Sequence, residues 1–100
     1  MRSILTKDLQ AVVDRINYIT GNAPLPYKPI KDGKFKANIG CYHLDWAYGG
    51  VALHQIMSKG GGVNDIFGGH YTKRELYNRM HAWLTGYFTA DFAKNTKSIK

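Results

Sequence analysis

Three glycine clusters divide the middle of this 100-residue chain: Gly49-Gly50, Gly60-Gly61-Gly62 and Gly68-Gly69. Glycine costs the most backbone entropy to order and accepts φ values closed to other residues, so such clusters punctuate helices and strands alike. The elements between Asn38 and Thr72 are therefore short. All four histidines, His43, His54, His70 and His81, fall between Asn38 and Met80 or one residue beyond. Glycine, aromatic, histidine and basic residues converge in this stretch, and its flanks read as scaffold.

The length is that of one domain with a modest core, which homo-oligomerisation would supplement. Hydrophobic residues make up 44% and aromatics 13%, a globular composition that excludes a disordered chain. The single cysteine, Cys41, excludes an internal disulfide framework and reads as a small buried residue. Thr6, Lys7 and Asp8 interrupt the apolar start, so no signal-peptide run is expected. No apolar run approaches the roughly 20 residues that span a bilayer. The expectation is a cytoplasmic protein with no membrane partner.

The net charge of +7 is uneven. Residues 47–71 are neutral, with Lys59 against Asp65, whereas residues 72–100 carry a net +4. Basic charge thus flanks the glycine-rich centre and favours anionic partners.

Along the chain, Leu5, Leu9, Val12, Val13, Ile16 and Ile19 recur at helical spacing and predict a helix over 6–20. Thr6 is its expected N-cap, and Gly21-Asn22 its stop. Three prolines between Ala23 and Pro29 predict an extended connector. Asp32-Gly33 predicts a two-residue turn between Ile30-Lys31 and Lys34–Ala37, a β-hairpin. Cys41 to Trp46 reads as a short strand or extended segment. Leu53, Ile56 and Met57 predict a short helix over Val51 to Lys59, ended by the glycines. Val63 to Tyr71 reads as a loop anchored by Ile66 and Phe67. Thr72-Lys73-Arg74-Glu75 matches a capping box and opens a long last helix, with Leu76, Tyr77, Met80, Trp83, Leu84, Tyr87 and Phe88 on its apolar face. Gly86 ends or bends it. Residues 1–88 are expected as one compact α+β domain and 89–100 as a basic, partly frayed extension. The expected core is Leu9, Val12, Val13, Ile16, Ile39, Leu44, Leu53, Ile56, Leu76, Met80 and Trp83.

Lys59-Gly60-Gly61-Gly62 has the makings of an anion nest, and the helix start at Thr72-Lys73-Arg74 also attracts phosphate. Neither nucleotide fingerprint, G-x-x-x-x-G-K-[ST] or G-x-G-x-x-G, occurs. His43, His54, His70 and His81 with Cys41 are the candidate zinc ligands, but Cys41 and His43 stand too close for paired ligands and neither C-x-x-C nor H-x-x-x-H occurs, so no metal and no cofactor are expected. The carboxylates are scattered, so no catalytic residue and no enzyme are expected. Tyr42, Tyr48 and Tyr71 offer stacking faces, and His43 and His70, each beside an aromatic and near glycines, offer ligand contacts.

The runs Asn38-Ile39-Gly40-x-Tyr42-His43-Leu44-x-x-Ala47-Tyr48-Gly49-Gly50, Gly60-Gly61-Gly62-Val63-x-Asp65-x-Phe67-x-Gly69-His70 and Lys73-Arg74-Glu75-Leu76-Tyr77-x-x-Met80-His81-Ala82 together resemble a family of small proteins encoded in tailed-phage genomes, without an assigned activity. The resemblance runs from about Leu5 to Gly86. It implies a phage accessory protein acting in the host cytoplasm, where such proteins bind and block host machinery or defence systems. It supplies no catalytic residues.

The sequence thus leads to a non-enzymatic protein that binds an anionic, phosphate-bearing ligand, a nucleotide signal or nucleic acid. The expected contacts are Tyr42, His43, Tyr48, Lys59, Gly60, Gly61, Gly62, His70, Tyr71, Lys73 and Arg74. The alternative is a protein–protein inhibitor that occludes a host enzyme or defence complex with the same aromatic surface.

Overall fold

A computed structural model describes residues 3–98, with side chains described for residues 3–90. The chain is α+β: helix α1 (Thr6–Thr20), strands β1 (Tyr27–Pro29), β2 (Phe35–Ala37), β3 (Tyr42–Ala47), β4 (Gly50–Ile56) and β5 (Val63–Asp65), then helix α2 (Lys73–Ser98). The strands form two antiparallel sheets, β1-β2 and β3-β4-β5.

The stripe on α1 buries Leu9, Val12, Val13 and Ile16. Its N-cap is Leu5 rather than Thr6, because Asp8 reaches back and accepts from the Leu5 amide at 2.8 Å. Gly21 closes the helix in the left-handed region, its amide donating to the carbonyls of Asn17 and Tyr18. Asn17, on the side of the helix that reads as polar, is fully buried. Its Nδ2 donates to the Tyr42 carbonyl at 2.9 Å, and its Oδ1 accepts from the Tyr42 amide at 2.8 Å. The side-chain amide thus substitutes for a neighbouring strand and fastens α1 to the first residue of β3.

The hairpin forms, but its turn is not the two-residue one predicted: Lys31–Gly33 make a 3₁₀ turn, with Asp32 and Gly33 at positive φ, 64° and 70°, and the Ile30 amide donating to the Lys34 carbonyl. The strands it joins begin further out than predicted. Tyr27 pairs with Ala37, Lys28 with Lys36 and Pro29 with Phe35, so the end of the proline connector is itself a strand. Pro29 fits there because a two-stranded sheet has only edges. Leu25 and Phe35 stay 64% and 66% exposed.

The predicted middle helix over 51–59 is incorrect: residues 50–56 are strand β4. Leu53 and Ile56 mimic a helical stripe, but Val51, Ala52 and Leu53 are buried in succession. A strand covered on both faces has that pattern. Tyr48-Gly49, at φ 55° and 71°, make the tight β3–β4 turn, with Ala47 paired to Gly50 across it. The 63–71 stretch is also more than a loop, since β5 pairs His54 with Asp65 and Ile56 with Val63. Ile66 and Phe67 do pack on the core as anchors.

The capping box at α2 is present: the Thr72 hydroxyl accepts from the Glu75 amide, and the Glu75 carboxylate from the Thr72 amide, both at 3.1 Å. The helix passes through Gly86 without ending and continues to Ser98. The side chains of the expected basic extension beyond residue 90 lie outside the described residues.

Antiparallel register sorts β3 and β4 into two faces. Tyr42, Leu44 and Trp46 alternate with His43 and Asp45, opposite Gln55, Leu53 and Val51 against His54 and Ala52. The Tyr42, Val51 and Leu53 side joins Leu9, Val13, Ile16, Leu76, Met80 and Leu84 in one core under the helices. Leu44 and Trp83 pack on its margin, whereas Ile39, expected inside, is 55% exposed in the turn before β3. The other side of the sheet, its outer face, carries His43, Asp45 and His54.

Candidate functional site on the outer face

His43 and His54 are direct cross-strand partners, and Asp45 lies two residues along β3 on the same face. A third histidine arrives from the β5–α2 connection. After Asp65 the chain leaves the sheet and returns where Tyr71 and Val51 exchange backbone hydrogen bonds of 2.8 and 2.9 Å. Asp65 organises the excursion: its carboxylate accepts from the Gly68 and Gly69 amides at 3.1 and 2.8 Å. Both glycines have positive φ, which side-chain-bearing residues rarely adopt. Gly50 then allows close approach, since a Cβ there would meet the Tyr71 carbonyl oxygen at 2.9 Å and His70 atoms at 3.3 Å.

Tyr71 turns inward, with its hydroxyl on the Phe67 carbonyl and the Arg79 guanidinium 4.3 Å over its ring. His70, one residue earlier, turns outward. Its Nε2 lies 2.8 Å from Asp45 Oδ2, and its ring stands 6.2 Å from that of His54. His54 in turn meets His43 edge-on at 5.8 Å. The His70 hydrogen bond, reinforced by the three neighbouring imidazoles, holds the Asp45 carboxyl below its ordinary range. Asp45, His54 and His70 each present a potential ligand atom, all within 4.8 Å of one another. His43 Nε2 is buried without a hydrogen-bond partner among the described residues, while Nδ1 sits 3.4 Å from the Leu44 carbonyl.

Tyr48 stands at the rim. Its ring is 95% exposed and lies 5.4 Å from that of His70, edge to face. A tyrosine held at φ 55° carries backbone strain of about 1–2 kcal/mol.

Of the contacts expected from sequence, the fold brings His43, Tyr48 and His70 to this face. Tyr42 and Tyr71 lie on the opposite, core side, Tyr42 packed edge-on against Trp83 at 5.8 Å. Lys59, Gly60, Gly61 and Gly62 form the β4–β5 turn, past Ile56. Lys73 and Arg74 follow Tyr71 at the other end of β4, roughly 17 Å of strand away. Two of the turn's amides are also occupied internally: Gly61 donates to the Ser58 carbonyl and Gly62 to the Ser58 hydroxyl. Lys59 and its glycines therefore share no concavity with Lys73 and Arg74.

Asp45 and His54 are absent from the contacts expected from sequence. Local spacing cannot find them, because residues 45, 54 and 70 meet only through strand register and the return of the chain at Tyr71. The signal that was available is Tyr48-Gly49: read as a hairpin turn, it pairs His43 with His54 directly.

No family model matches the chain, and comparison with curated proteins and with solved structures finds no match.

Proposed function

We propose that the chain is a non-enzymatic binding protein whose ligand face is the outer face of the three-stranded sheet. The ligand is anionic and phosphate-bearing, a nucleotide above all. One observation carries this reading: three imidazoles from three separate segments meet on one face beside an exposed, conformationally strained tyrosine. Strain of this kind persists where surrounding structure holds it in place, and it gathers at ligand sites. Imidazole N–H groups donate to phosphate oxygens. The Tyr48 ring offers a stacking surface for a base, worth about 1–3 kcal/mol. The net charge of +7 brings anions to the protein quickly. In this reading Lys59, Lys73 and Arg74 contribute to that long-range field, the contacts are His54, His70 and Tyr48, and His43 stands behind His54. Under the resemblance to phage-encoded proteins, the binding would serve as an accessory to host takeover or defence evasion in an infected cell.

Calorimetric titration with AMP, cyclic dinucleotides and short oligonucleotides at two salt concentrations tests it. Binding that weakens steeply with salt and is lost in H54A/H70A supports the outer face. Binding unchanged in that variant rejects it.

A second reading has its own support. Leu25, Tyr27 and Phe35 are exposed together on and beside the β1–β2 hairpin, an apolar surface of the kind that protein partners cover. An inhibitor of a host enzyme would use it, and its binding would change little with salt.

A further inference from the structure

We infer that Asp45, His54 and His70 form a site for a divalent transition-metal ion of the zinc class. The inference rests on the reading of the outer face as the binding face and names what that face holds first.

The ligand set decides the class of ion. Two imidazoles and one carboxylate suit zinc and its first-row neighbours, whereas magnesium and calcium take oxygen donors. Metal–donor bonds of about 2.0–2.2 Å place the donors of a tetrahedral site roughly 3.4 Å apart. The three donor atoms here lie within 4.8 Å of one another. Small rotations about side-chain bonds open the Asp45–His70 pair from 2.8 Å and draw His54 in. The site needs no backbone movement, because β-sheet register sets Asp45 and His54, and the Tyr71–Val51 bridge sets His70.

His43 is the second, independent observation. A buried ring nitrogen without a partner forfeits a hydrogen bond, and such atoms in a folded protein call for an explanation. His43 stands edge-on to His54. With its Nδ1–H turned to the Leu44 carbonyl, Nε2 is the acceptor. Three protein ligands leave a coordination position for water, and a metal-bound water is a donor that such an acceptor can take. His43 would then be a positioning residue outside the coordination sphere. Outer-shell partners of this kind change metal affinity by about 10–100-fold.

The metal also gives the face its preference for anions. Two neutral imidazoles and one carboxylate around a dication leave a net positive centre, and a phosphate oxygen displaces the water from it.

The test is titration of the metal-free full chain with Zn²⁺ by calorimetry, and with Co²⁺ by visible absorption, at pH 7.5 and pH 5.5. The expected result is one equivalent bound, with tetrahedral Co²⁺ bands. Affinity falls at least about 100-fold in H54A and in H70Q, about 10–100-fold in H43A, and is lower at pH 5.5, because protons compete with the metal for its ligand atoms. Circular dichroism of each variant establishes that it is folded, and H70Q preserves bulk where truncation would loosen the turn. No stoichiometric binding, or binding that survives H54A and H70Q, overturns the inference. The same samples titrated with AMP separate the two readings. Nucleotide binding to the outer face without a zinc response overturns the metal centre alone. A zinc response without nucleotide binding upholds the metal centre and removes the nucleotide.

Discussion

Gly50 and His70 touch across the mouth of the outer face: a Cβ on Gly50 would stand 3.3 Å from His70 Cβ and 2.9 Å from the carbonyl oxygen of Tyr71. A backbone oxygen cannot yield as a flexible side chain would. Gly50→Ala therefore pushes the returning segment away from β4 and opens the Tyr71–Val51 bridge. The expected cost is about 1–3 kcal/mol in urea denaturation. His70 ring resonances should also lose the signature of the Asp45 hydrogen bond. Unchanged stability and unchanged His70 shifts would show that the contact is not tight.

Asn17 makes a different kind of link, from helix to sheet. Removing its amide in Asn17→Ala leaves the Tyr42 N–H buried and unpaired and its C=O with only the weak Cys41 thiol donor, an expected loss of about 2–4 kcal/mol. Asn17→Leu fills the space but restores neither bond, so it should recover only a minor part. Equal stability of the leucine variant and the parent in denaturant melts would refute the pairing role.

Tyr48 sets stability against binding. Tyr48→Gly relieves the left-handed backbone and should stabilise the β3–β4 hairpin by about 1 kcal/mol. It also removes the stacking face, so affinity for AMP should fall about 5- to 100-fold while affinity for inorganic phosphate holds. A variant less stable than the parent, or one that binds AMP as tightly, contradicts this assignment.

Two groups shape the pH dependence from opposite ends. Burial raises the Cys41 thiol pKa above its ordinary value. Its contribution to stability is whole below the unfolded thiol pKa and is lost as pH rises towards the raised folded value. Cys41→Ala should flatten that alkaline decline, and thiol reagents should label the parent only as it unfolds. Hydrogen bonds from the Thr72 side chain and backbone lower the Glu75 pKa. That contribution is present above the ordinary glutamate value and disappears as pH falls through the lowered one. Thr72→Ala should cost about 1 kcal/mol at pH 7 and make the acid limb of the stability curve shallower. Parallel curves for variants and parent would argue against both assignments.

The helices, the stop of α1 at Gly21 and the N-cap of α2 were legible because their signals are local: the stripe from Leu9 to Ile16, and Thr72 three residues before Glu75. The hairpin around Asp32-Gly33 was legible for the same reason, but its three-residue 3₁₀ turn was not. Strand β4 was not, since Leu53, Ile56 and Met57 fit a helical period as well as a doubly covered strand, and only pairing with β3 decides between them. The outer face depended on that error. With 51–59 read as helix, His54 has no reason to meet His43, and Asp45 none to meet His70. The glycines drew attention to a useful stretch, but for a different reason than charge. Gly50, Gly68 and Gly69 seat His70, whereas Gly61 and Gly62 spend their amides inside their own turn.

Amide and histidine-ring NMR spectra of the full chain, recorded during titration with AMP in the presence and absence of one equivalent of Zn²⁺, bear most directly on where the ligand sits. Perturbations concentrated at His43, Asp45, Tyr48, His54 and His70 are the expected result. Perturbations centred on residues 58–62 or 72–74 instead, or none at all at millimolar AMP, would contradict the placement of the binding face.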